Sequence, residues 1–130
     1  MANNTLAARA WAAALALSIH NAEEIALGLP GWAEAHPQTA GFNWSAGSNA
    51  FMFTAVLLMG AAFLFALMAQ LSPRRWMGAG LKVVAVVMLV NAASHLALSV
   101  YTGSLMPGVV SAFLVLLPVF GWIALARRDT

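Results

Sequence analysis

The chain has 130 residues, 62% of them hydrophobic and 8% charged, with a formal net charge of +2 and a mean hydropathy of +0.84. A soluble domain carries roughly a quarter charged residues, so six basic and four acidic side chains exclude soluble enzyme folds, disordered tails and nucleic-acid modules. With no cysteine, disulfides, thiolate metal sites, C-x-x-C-H haem attachment and cysteine nucleophiles are also excluded, and any metal would depend on histidine and carboxylate ligands.

The length suits a single integral membrane domain, residues 1–130, with at most four or five spans of about 20 residues each. Four apolar stretches predict helices at about 7–29, 49–71, 81–101 and 107–126. Arg9, the apolar run from Ala10 and the triplet Ala33-Glu34-Ala35 have the look of a secretory signal, but cleavage there would be late, and the segment reads as a retained helix. Its Ala12, Ala13 and Ala16 permit close helix packing. The following loop from Pro30 to Ser48 holds Trp32, Phe42, Asn43 and Trp44 and reads either as a lid or substrate portal or as an amphipathic segment at the interface. Glu34 and His36 in it read as solvated. Tyr101, Gly103 and Pro107-Gly108 predict a tight turn into the last helix, which Pro118 should kink. The expected architecture is all-α, a four-transmembrane-helix up-down bundle.

Lys and Arg favour the cytoplasmic side of short loops. Arg9, the group Arg74, Arg75 and Lys82, and the pair Arg127 and Arg128 all fall on one side if both termini are inside. Trp11, Trp76 and Trp122 then lie at the inner interface and Trp32 and Trp44 at the outer, where indole rings prefer to sit. Both signals predict an N-in/C-in protein of the cell inner or plasma membrane.

Within the first predicted span lies His20-Asn21-Ala22-Glu23-Glu24. An acidic residue near a helix centre costs about 2.5–3.5 kcal/mol on insertion scales. Two cost on the order of 5 kcal/mol, against about 2–4 kcal/mol gained from the six Leu and Ile residues of that span. These groups should therefore face the bundle and be neutralised, paired or metal-bound. His20 lies i,i+3 from Glu23 and i,i+4 from Glu24, so all three share one broad face. Glu23 and Glu24 differ by about 100° in direction. Glu24 is the preferred partner of His20, with Glu23 an acid/base or supporting group. The third span supplies Asn91 and His95 at i,i+4, with Ser94 and Ser99 nearby. His20 and Glu24 rise about 16–23 Å above Arg9, and Asn91 and His95 about 13–20 Å above Lys82, so the two sets can meet at matching depth.

In these elements the sequence resembles a family of small integral membrane proteins named for its H-x-x-E-E motif. His20, Glu23 and Glu24 match that motif, Asn91 and His95 match a later N-x-x-x-H element, and Pro107-Gly108 matches a P-G turn. The resemblance covers most of the chain and implies that these are its functional residues, without implying a reaction.

The i,i+4 spacing of His20 and Glu24 is the device used by zinc-binding helices, with His95 as a third ligand; zinc or iron suits such N/O donors. The motif departs from H-E-x-x-H and H-x-x-E-H at its last position, so the parallel with metalloproteases is incomplete. Asn91 is a poor zinc ligand and reads as a hydrogen-bond donor. The leading expectation is a membrane-embedded enzyme acting on a lipid-like or apolar substrate by hydrolysis or oxidation. In it His20, Glu24 and His95 bind a divalent metal or form an acid/base network, Glu23 moves a proton and Asn91 orients the reacting group. One alternative is a proton-coupled transporter or proton pathway using Glu23 and Glu24, which at this size would need a homodimer to build alternating access. Another is a haem or hydrophobic-ligand module with His20 and His95 as axial ligands. A purely structural His–Glu network that fixes helix register is the bland counterpart of all three.

Overall fold

The computed structural model of the protein describes residues 2–40 and 47–126; Phe42, Asn43, Trp44, Arg127 and Arg128 lie outside them. Every regular element among the described residues is helical. They are α1 (Ala2–Ala26), α2 (Leu29–Ala35), a 3-10 turn at Pro37–Thr39, α3 (Ser48–Leu71), α4 (Arg75–Thr102) and α5 (Val109–Leu125). Two of them, α3 and α4, are long and apolar enough to cross a membrane.

Local chemistry explains the boundaries. Helix α1 stops three residues before the expected end, because Gly28 takes the left-handed conformation at φ 69° that commonly closes helices. Pro30 then lies in the first turn of α2, where its missing N–H costs nothing. Helix α4 begins six residues earlier than the sequence suggests. Gly78 and Gly80 lie within it despite a cost of about 1 kcal/mol each relative to alanine. The buried Met77 anchors that first turn, its Sδ accepting the Arg74 N–H at 3.3 Å. Gly103 at φ 65° closes α4. Where Pro118 predicts a kink, the chain takes π geometry over Ala112–Leu116, ending two residues before the proline. Pro118 has no N–H to offer the carbonyl of Leu114, and a wide turn of this kind accommodates such a gap.

Helix α1 packs against α3, α4 against α5, and α1 against α5. The contacts between elements give their directions. Trp11 near the start of α1 donates from Nε1 to Gln70 Oε1 near the end of α3 at 2.8 Å. Asn21 further up α1 reaches back to Ala55 O at 3.3 Å, so the two helices are antiparallel. Lys82 early in α4 donates to Ala126 O just past α5 at 2.6 Å, so that pair is antiparallel too. His20 meets Asn91 and Glu24 meets His95, so α1 and α4 run parallel.

The apolar core is built from small residues on α1 and α3 (Ala10, Ala13, Ala14, Ala16, Ala66, Ala69) facing larger ones on α4 and α5, among them Met77, Leu81, Leu116, Phe120 and Ile123. The alanines let backbones approach closely, with van der Waals contact as the main gain. Among the described residues the basic side chains gather at one end of the molecule: the Arg9 guanidinium sits 5.8 Å from the centroid of Trp122 on α5, Lys82 bonds the carbonyl just past the end of α5, and Arg74 and Arg75 lie at the α3–α4 junction.

Candidate functional site

His20 and Glu24 are one turn apart on α1, and both are buried. His20 Nε2 lies 3.2 Å from Glu24 Oε1. Directly across, α4 presents His95, buried to 1% exposure, with Nε2 at 3.1 Å from the same Glu24 oxygen. The two imidazoles meet edge to face with centroids 4.8 Å apart. One donor atom from each of His20, Glu24 and His95 lies within 4.8 Å of the others, so the cluster can hold a metal ion. The two Glu24–histidine separations, 3.2 and 3.1 Å, are close to the spacing of about 3.3–3.6 Å between ligand atoms of a tetrahedral ion with bonds of about 2.0–2.2 Å.

Asn91, one turn before His95, donates from Nδ2 to His20 Nε2 at 3.1 Å. The other nitrogen of His20, Nδ1, lies 3.0 Å from the hydroxyl of Ser111 in the first turn of α5. That hydroxyl donates to Gly108 O at 3.2 Å. His95 Nδ1 has no hydrogen-bond partner among the described residues, so the two histidines are held differently.

Glu23 turns away from this cluster. Its Oε2 accepts the Ser111 N–H at 2.7 Å and its Oε1 the Val110 N–H at 3.3 Å, so the carboxylate caps the start of α5. Free N–H groups and the positive end of the helix dipole favour an anion there. Neighbouring glutamates thus do different work, as their angular separation on α1 dictates.

Gly108 closes the site from the α4–α5 turn. Its φ of 93° already favours glycine, and a Cβ built on it would stand 2.8 Å from Glu24 Cγ, His20 Cε1 and His95 Cε1. The Pro107-Gly108 pair is therefore more than a turn, since the backbone itself packs against all three side chains. Sequence reasoning did not find Ser111 or this contact. Ser111 is 91 residues from His20 and lies in an apolar helix, where one serine is ordinary. Its place one turn beyond Pro107-Gly108, level with the motif, is the only signal that could have marked it.

Other residues take supporting places. Ser94 bonds back to Asn91 O, and Ser99 accepts the Met106 N–H at 2.9 Å, which pins the α4–α5 turn. Trp32 on α2 donates to Ser104 Oγ at 3.1 Å, tying the α2 segment to the same turn. His36 is not the solvated loop residue the sequence suggests: half-buried, it stacks on Trp32 with centroids 4.4 Å apart and contacts Trp32 O through Nδ1 at 2.7 Å. Glu34 is exposed.

No curated protein and no solved structure matches the chain. Residues 11–123 match the family described as "Protein of unknown function with HXXEE motif", a span that takes in every residue of the cluster, Ser111 and Gly108. The chain belongs to the HXXEE family.

Proposed function

We propose that the protein is a four-span integral membrane enzyme, N-in/C-in, in which His20, Glu24 and His95 hold a divalent metal, zinc or iron, at a site that acts on a lipid-like or apolar substrate. The observation that carries this reading is the convergence of three buried metal-capable side chains from two helices on a single carboxylate oxygen. The gathering of the described basic residues at one end of the molecule supports the orientation. Extensive apolar exposure on α3 and α4, including Phe53, Leu57, Leu64, Val83, Val86 and Val90, supports a lipid environment.

The donor set also supports a cation. Glu24 Oε1 faces two imidazole nitrogens at hydrogen-bonding distance. Each of these nitrogens can meet the carboxylate oxygen only across a positive charge, either a proton or a metal ion between them. A bound metal would supply Lewis-acid or redox chemistry. Asn91, released from His20 Nε2, would orient a polar group of the substrate or a water. Glu23, engaged at both oxygens by α5, would position the site.

The haem alternative draws no support from ring geometry, because imidazoles in edge contact leave no slot for a macrocycle between them. Glu24 shared between two imidazoles also suits a proton pathway. Proton flux in proteoliposomes that disappears in Glu24→Gln would move the assignment to transport. The enzyme reading is tested by metal analysis of purified protein alongside a screen of lipid esters, amides and oxidisable lipids. Activity that needs metal and is lost in His95→Ala supports it.

A further inference from the structure

His20 and Asn21 are adjacent on α1 but reach different helices. Asn21 Nδ2 donates to Ala55 O on α3 at 3.3 Å, whereas His20 Nε2 meets Asn91 on α4 at 3.1 Å. Neighbouring residues of a helix diverge by about 100°, so α3 and α4 flank α1 at about that angle. With packed helix axes about 8–10 Å apart, two such neighbours of α1 stand about 12–15 Å from each other, about 4–5 Å more than direct packing requires.

Exposure supports the gap. Toward the basic end the two helices do touch, the rings of Phe65 on α3 and Trp76 on α4 meeting with centroids 6.2 Å apart. Leu58 lies two helical turns before Phe65 and Val87 three turns after Trp76, so they repeat the two faces that meet there. Leu58 is nevertheless 51% exposed and Val87 59%, and among the described residues α3 has no packing with α4 comparable to its contact with α1. The half-buried Leu17 of α1, which points between His20 and Asn21, forms the floor. Asn91, one turn beyond Val87 and half-buried, stands at the end beside the site.

We propose that this groove takes one acyl chain of a membrane lipid, entering sideways from the bilayer, and brings the polar group at the head of that chain to Asn91, His20 and Glu24. The width selects the occupant: about 4–5 Å admits an alkyl chain, whose carbons meet their neighbours at about 3.5–4.0 Å, but not a helix about 10 Å across, so no span of a second copy fits. Both walls are apolar and Asn91 adjoins His20, so the chain runs from the site toward the Phe65–Trp76 contact. The proposal rests on the lipid setting of the enzyme reading above and adds that the substrate is presented by one chain from within the bilayer.

The test is photolabelling of the purified full chain in nanodiscs whose phosphatidylcholine carries a diazirine on its acyl chain, with the labelled residues read by mass spectrometry. Leu64 on α3 and Val86 on α4 are 58% and 56% exposed but turned about 100–120° from the groove, so they report the surrounding lipid at matched exposure. Leu58 and Val87 should be labelled severalfold more than Leu64 and Val86. Val87→Trp, which fills the groove from one wall, should abolish the excess at Leu58 and leave Leu64 unchanged; Leu58→Trp should do the same to Val87 from the other. Equal labelling at all four wild-type positions, a surrounding lipid shell only, overturns the proposal and requires no variant to fold. An excess at Leu58 that survives Val87→Trp in a folded protein also overturns it. Metal content of the same samples separates this from the metal reading: selective labelling in a protein that retains no metal upholds the groove and removes the metal.

Discussion

Helices α1 and α3 lie side by side and solve opposite problems. Helix α3 has a mean hydropathy of 2.4 over its most apolar window, of which 11% is buried; its sequence has no charged residue. It needs little from its neighbours. Helix α1 carries Arg9, His20, Glu23 and Glu24, does not qualify by hydropathy as a span, and is acceptable in an apolar setting only because α4 and α5 supply His95, Asn91, Ser111 and the α5 amides. The more apolar helix is peripheral, and the polar one is enclosed. Intramembrane polar groups are expensive, so they are found where partners exist, and mutational sensitivity should follow enclosure rather than hydropathy.

The sharpest way to break this contrast is to place the same substitution in each region. Gly108→Ala adds a Cβ against three site residues at a left-handed position. Backbone strain of about 1–2 kcal/mol and overpacking of about 1–3 kcal/mol predict a loss of about 2–5 kcal/mol, read by thermal unfolding in detergent, together with loss of the site. Gly60→Ala on α3 meets nothing within 4 Å and should instead raise stability by about 0.5–1 kcal/mol. Equal effects at the two positions would dissolve the distinction.

Substitutions within the cluster come next. Glu24→Ala removes the oxygen shared by both imidazoles and should abolish metal retention. Glu23→Ala leaves the three donors in place but uncaps α5. It should cost about 0.5–2 kcal/mol of stability, the range of a lost helix cap, while retaining part of the metal. A Glu23→Ala protein that loses metal as fully as Glu24→Ala would show that the two carboxylates do not have separate tasks. The smallest effect is expected on the outer face of α3, where Leu57→Val should change stability by no more than about 0.5 kcal/mol and leave metal content unchanged.

The sequence made the polar pairs legible for a physical reason: charge inside an apolar run is costly, and i,i+4 spacing assigns it to a face. That logic brings out His20, Glu24, Asn91 and His95 without tertiary information. It cannot reach Ser111, because a lone serine in an apolar helix carries too little cost to stand out, and its partnership is created by the α4–α5 turn. Gly108 is legible as a turn residue, whereas its contact with three side chains depends on how closely α5 approaches α1. Helix ends moved for similar reasons. The apolar run places the start of the third span at about 81, but the burial of Met77 keeps the preceding turn helical, and at Pro118 the chain takes a π segment that hydropathy alone does not distinguish from a kink.

The most direct test of the central claim is the metal content of the purified, folded protein in detergent, measured by elemental analysis after equilibration with zinc or iron and removal of the excess. The account predicts close to one ion per chain in the wild type, lost in His20→Ala and in His95→Ala. A folded wild type that retains no zinc or iron, or a His95→Ala protein that keeps the full complement, would contradict it.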